Sequence, residues 1–150
     1  VQTFEDALET FSNIINVLNG VLILIALISL IVATVNIMNT MYTAVLERRR
    51  EIGIMKSIGA RNSDILLIFI IESGMLGLVG GIIGVILGVG FSKFVEIAAT
   101  LALGSGILVA DISLNLIIGS LGFSFLIGTI SGILPAKQAS DLQPVDALRL

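Results

Sequence analysis

Apolar residues run without a single charge from Thr10 to Leu46 and again from Ser73 to Ser92. Between the two runs lies a charged island, Glu47 to Asp64, reading ERRREIGIMKSIGARNSD. A third apolar run occupies Ile112 to Leu134. Uncharged apolar runs longer than about 18 residues are the signature of membrane-crossing helices. The pattern therefore predicts an all-α membrane protein with three transmembrane helices and a short helix between the first two. In order, it gives a lead-in helix over residues 1–19, a first span over 14–46 and an island helix with its turn over 47–62. A second span over 63–95, an outer loop over 96–111, a third span over 112–134 and a tail over 135–150 follow.

The lead-in places Phe4, Leu8, Phe11, Ile15, Leu18 and Leu22 at alternating steps of four and three. That is a heptad seam, which wraps against another helix. Three acids and no base accompany it, unlike the basic polar face of a helix lying on a bilayer. In the island, Ile54 and Ile58, or Ile52 and Met55, alternate with charges at helical spacing. A short amphipathic helix offered to a partner fits this better than a plain connecting loop. Gly59 and Ala60 read as its stop, since glycine takes the left-handed conformation that ends helices. Asn62, Ser63 and Asp64 then offer N-caps for the second span.

Two small-residue faces follow. Gly74, Gly77, Gly81, Gly84 and Gly88 recur every three or four residues in the second span, and Ser120, Ser124, Gly128 and Gly132 every fourth in the third. Small residues on one face let helix backbones approach closely in lipid. Glu72 is an acid at the edge of the second span; it is expected to sit at a membrane boundary and pair with an arginine of the island. Its rival role is that of a proton carrier, because ionisable groups in a membrane are functional candidates by default. Pro135 is expected to close the third span. Pro144 and Asp146 suit the first turn of a short tail helix ending near Leu150.

Charge settles the expected topology. Arg48, Arg49, Arg50, Lys56 and Arg61 are in the island and Lys137 and Arg149 in the tail, leaving Lys93 as the last of the eight basic residues. By the positive-inside rule the N-terminus lies outside, and the island and C-terminus are cytoplasmic. The 150 residues are 56% hydrophobic and 13% charged, against roughly 25% charged in a soluble domain. Without Cys or His, thiol chemistry, His catalysis and the commonest metal sites are excluded. No glycine-rich phosphate loop is followed by Lys and Ser or Thr, and no nucleophile stands beside a base. The chain reads as non-enzymatic, with no metal and no nucleic-acid partner.

The run EIGIMKSIGARNSDI, then FIIES and a glycine-rich span, resembles the FtsX/MacB-type permease domain of ABC transporters. The tail PAKQASDLQPVDALRL, after the last span, is similar to the end of that domain. The resemblance covers Ile14 to Leu150. It implies a permease subunit of the cell (plasma or inner) membrane, driven by a separate ABC ATPase that binds ATP and magnesium while this chain binds no cofactor. It puts the ATPase contact, a coupling helix, on Glu47, Arg48, Arg49, Arg50, Glu51, Ile52, Gly53, Ile54, Met55, Lys56, Ile58, Gly59, Ala60 and Arg61. Of these, Glu51, Ile52, Gly53, Lys56, Gly59 and Ala60 match the motif most closely. It implies a dimer with a second copy or a paralogue, and a further span and external domain ahead of Val1. Conformational change would then export or extract a substrate at the outer side. The alternative within the family is a signalling component that activates an external cell-wall hydrolase or sensor; the remote one is the proton-conducting subunit built on Glu72.

Overall fold

The computed structural model describes residues 4–103 and 112–142, and every regular element within them is helical. The helices are α1 (Phe4–Glu47), α2 (Arg49–Ser57), α3 (Asn62–Leu103) and α4 (Leu114–Ser140). α1, α3 and α4 are each long and apolar enough to cross a membrane. At about 1.5 Å per residue, the 44 residues of α1 and the 42 of α3 make helices of roughly 60 Å, twice a ~30 Å hydrocarbon core. Both extend beyond any bilayer they cross.

The chain divides into two units, residues 1–36 and residues 37–150. In the first, the whole seam from Phe4 to Leu22 is exposed, and so are Val21, Leu24, Ile28 and Ile31 away from it. A helix apolar all round suits lipid and not water. Three of its hydroxyls are satisfied internally: Thr10 Oγ1 donates to Asp6 O, Ser29 Oγ to Ile25 O and Thr34 Oγ1 to Leu30 O. Such back-bonding removes the cost of an unpaired donor in hydrocarbon.

In the second unit, α3 and α4 lie against each other along their small residues. A compact hub forms where α1 ends, α3 begins and α4 ends. Met41 and Val45 of α1, Ile52 of α2, Ile65 and Phe69 of α3, and Ala136 and Ala139 of α4 are its buried members. Ile37, Met55, Leu66, Ile70 and Leu142 pack around them.

Three sequence expectations change here. Pro135 does not close the third span: it lies inside α4, which runs on to Ser140. A proline removes the helical bond to the carbonyl four residues back. Ala136 and Ala139, both fully buried in the hub, hold the next turn in place regardless. Residues 96–103, expected in the outer loop, continue α3 because nothing between Glu96 and Leu103 breaks a helix. Asn62 and Ser63 are already helical, so neither caps α3. Asp64, in the first turn, reaches back instead, and its Oδ2 accepts from the Arg61 backbone N–H at 3.1 Å. That is the carboxylate half of a capping box. The expected tail helix at Pro144 to Leu150 and the rest of the expected outer loop, residues 104–111, lie outside the described residues.

Candidate functional site: a short helix clamped on one face

α2 is set off from α1 by one residue. Arg48 takes φ −96° and ψ 12°, in the sparsely used bridge region between the helical and extended wells. Its N–H still donates to Ala44 O at 3.0 Å, and Ile52 N–H still donates to Arg48 O at 3.0 Å. The chain thus changes direction while its helical hydrogen bonds carry through. At the far end Gly59 has φ +102°. Gly59 N–H donates to Lys56 O and Ala60 N–H to Met55 O, both at 3.0 Å. This pair of bonds is the Schellman closure, which requires the left-handed residue that glycine supplies.

The two candidate apolar pairs of the island separate onto opposite sides. Ile52 is fully buried in the hub, Gly53 is buried beside it and Met55 is half-buried. Removing an isoleucine side chain from water contributes roughly 1.5–3 kcal/mol, enough to hold a nine-residue helix in place. Ile54 and Ile58, four residues apart, point away and are 47% and 81% exposed. Around them Glu47, Arg49, Arg50, Glu51, Ser57, Gly59 and Arg61 are exposed as well, while Ala60 is half-buried.

Lys56 belongs to the inner side. Its Nζ donates to the carbonyl of Ser140, the last residue of α4, at 2.5 Å and to that of Leu142, two residues past the helix, at 2.6 Å. The last carbonyls of a helix lack partners within it and carry the negative end of its dipole, so an ammonium there satisfies both needs. Arg48, although exposed, turns towards α3: its Nη1 donates to Glu72 Oε1 at 3.2 Å and Oε2 at 3.3 Å. The island is thereby held to α3 near its start and to α4 near its end.

The helix-packing residues also sort themselves. Gly77 and Gly128 face each other with their Cα atoms nearly touching. A Cβ on Gly128 would stand 2.6 Å from Ser73 O and 2.9 Å from Gly77 Cα. A Cβ on Gly77 would stand 2.5 Å from Ser124 O. One step along in either direction, Gly81 meets Ser124, and Gly132 meets the Ser73 side chain. Gly74 lies against Phe125 and Thr129. Ser124 Oγ donates across the interface to Gly77 O at 2.6 Å. The close approach ends there. Gly84 and Gly88 have open space where a Cβ would go, and with Ser92, Ile117 and Ser120 they line a groove of about 390 Å³.

Three contacts escaped the sequence reading. Ser73 is fully buried and continues the Gly77–Gly81 row backwards by four, so counting serine with glycine would have found it. Lys56 as a cap for α4, and Arg48 as the particular partner of Glu72, depend on contacts between distant segments and carry no local signal. Among the described residues no cluster of three or more acids could hold a metal.

Comparison with known proteins fits this arrangement. The family model described as FtsX-like permease C-terminal matches residues 23–144. An uncharacterized ABC transporter permease of Methanocaldococcus jannaschii is 45% identical over 149 residues, covering 99% of this chain and 37% of the relative. A macrolide export ATP-binding/permease protein MacB of Chlorobaculum tepidum is 46% identical over 112 residues, 75% of this chain and 16% of its own length. An uncharacterized ABC transporter permease of Bacillus subtilis, YvrN, is 42% identical over 112 residues, 26% of that protein. The chain thus spans well under half of each relative.

Proposed function

The chain belongs to the FtsX-like permease family, and from that premise we propose that α2 is a coupling helix, docking a separate ATPase and passing its motion to the spans. As an ABC transporter permease of the FtsX/MacB type with three apolar helices, it is a multi-pass protein of the cell membrane. We read the chain as the permease part of a transporter and not as an enzyme.

One observation carries the coupling proposal. α2 is fastened on one side to the ends of three long helices and presents two exposed isoleucines among charges on the other. A helix needed only to reverse the chain has no reason to hold Ile58 81% exposed. An exposed apolar pair rimmed by polar residues has the anatomy of a protein interface, with an apolar centre and a charged edge. Energy enters from ATP and magnesium on the ATPase, and this chain binds no cofactor itself. The basic residues of the island put α2 in the cytoplasm and the start of α1 outside. The work is done at the outer side, as export or extraction of a substrate, by a dimer of this chain with a second copy or a paralogue.

The Arg48–Glu72 pair counts against the proton-carrier reading, since it gives Glu72 a cationic partner at the end of the span. Cross-linking tests the docking. A photoreactive residue at Ile58 of the full-length permease is expected to give a covalent adduct with the co-expressed ATPase, and one at Thr10 to give none. An adduct at Thr10 with none at Ile58 would put the ATPase on the wrong side of the membrane for this reading.

A further inference from the structure

Two fasteners hold the inner side of α2, and they differ in kind. Arg48 reaches Glu72 as an ion pair whose side chains are 50% and 32% exposed. Lys56 instead places one ammonium on two main-chain oxygens, Ser140 O and Leu142 O, in a half-buried position. A main-chain oxygen has no rotamer through which to yield. A displacement of Lys56 is therefore delivered to the α4 backbone itself. Among the described residues no other hydrogen bond between side chain and main chain joins α2 to α4.

The hub beneath Lys56 is small on the α4 side. Ala136 and Ala139 are its buried members there. Both Lys56 bonds carry the ammonium charge, which makes them stronger than neutral hydrogen bonds. Further along, α4 lies closely against α3 through Gly77 and Gly128.

We propose that Lys56 is a positioning residue: its ammonium staples the last carbonyl of α4, at Ser140, and that of Leu142 just past it to α2, so that α2 and the third span move as one body. This rests on α2 being the coupling helix, and it names the span to which motion passes first and the atoms that pass it. The Arg48–Glu72 pair is a side-chain contact to α3 and is not part of the staple.

The test uses the full-length permease with its ATPase in lipid vesicles. The given chain contains no cysteine, so spin labels can be placed at Ser57 and Gln138, which are exposed on α2 and α4. With Lys56 intact, the distance between the labels should be narrow and unchanged between ATP-free and ATP-bound states. In Lys56→Met, which keeps the stem and loses every donor, the population at that distance should fall roughly tenfold, as expected for losing a hydrogen-bonded charge. The residual distances should then change with ATP. Lys56→Arg, which can still donate to two carbonyls, should restore the narrow distribution, and Arg48→Gln should leave it alone. ATPase co-purification should stay at the wild-type level in Lys56→Met while hydrolysis no longer responds to substrate. If Lys56→Met does not insert, Lys56→Leu, which also lacks a donor, is read in its place. An unchanged distribution in Lys56→Met or Lys56→Leu overturns the staple. Failure of even the wild-type chain to bind the ATPase overturns the coupling reading instead, and the ATP-free distances still decide the role of Lys56.

Discussion

Replacing Gly128 by alanine should loosen the α3–α4 pair, whereas the same change at Gly84 should tighten the protein. The geometry gives the magnitude. An added Cβ at Gly128 would meet Ser73 O at 2.6 Å, where ordinary contact begins at 3.4 Å, so the backbones must part by 0.8 Å. The obstacle is main chain within a helix and has no rotamer to change. Overpacking of this kind costs about 1–3 kcal/mol. The Ser124–Gly77 hydrogen bond lies at the same point and stretches with it, losing about 0.6 kcal/mol as is typical between membrane helices. Alanine returns about 1 kcal/mol through its higher helix propensity. The net is a destabilisation of about 0.6–2.6 kcal/mol. At Gly84 nothing lies within 4 Å of the new methyl group, which leaves only the favourable term of about 1 kcal/mol. Reversible unfolding in mixed micelles of rising detergent strength, followed by helix content, measures both variants against wild type. Opposite signs are expected. If Gly128→Ala proves as stable as Gly84→Ala, the close approach of these helices is refuted.

Three further outcomes follow from the same structure. A cysteine at Thr10 should react with an impermeant thiol reagent on intact cells, and one at Ser57 only after permeabilisation; the reverse pattern inverts the topology. Gly59→Val forces a β-branched residue to φ +102° and should cost about 1–2 kcal/mol of stability. It should still bind the ATPase while losing substrate-stimulated hydrolysis, and wild-type coupling in this variant would show that the angle at the turn does not matter. Arg48→Gln and Glu72→Gln should each change activity by less than about fivefold, because a partly exposed ion pair contributes only about 0–1 kcal/mol. Complete loss in Glu72→Gln alone would return the proton-carrier reading to consideration.

Charge and hydropathy alone made the all-helical architecture and its three spans legible, because lipid permits so few alternatives to a long apolar helix. The turn at Gly59 was equally readable, since a glycine after an amphipathic run has a local cause. Pro135 misled because its local rule is real but weaker than the burial of Ala136 and Ala139, which lie in a hub assembled from residues a hundred positions apart. The small-residue faces were visible as rows, but the row does not say where its partner stops. Gly84 and Gly88 continue the pattern of Gly74, Gly77 and Gly81 and yet face open space, because Gly77 and Gly128 are the point of closest approach and the helices diverge from it. Ile52, Ile54, Met55 and Ile58 could all be assigned to one helix. Which of them faces inward depends on the hub, and so does the turning of Lys56 away from solvent.

The coupling role of α2 rests most directly on its outer isoleucines. Burying one such side chain at an interface contributes roughly 1.5–3 kcal/mol, against about 0–1 kcal/mol for an exposed ion pair. The decisive measurement is the affinity of the purified ATPase for the permease in lipid discs, with Ile54→Asp, Ile58→Asp and Arg49→Gln compared against wild type. Each aspartate variant should weaken binding by about tenfold or more, and Arg49→Gln should leave it within about fivefold. Wild-type affinity in both aspartate variants would reduce α2 to a connecting loop and contradict the account.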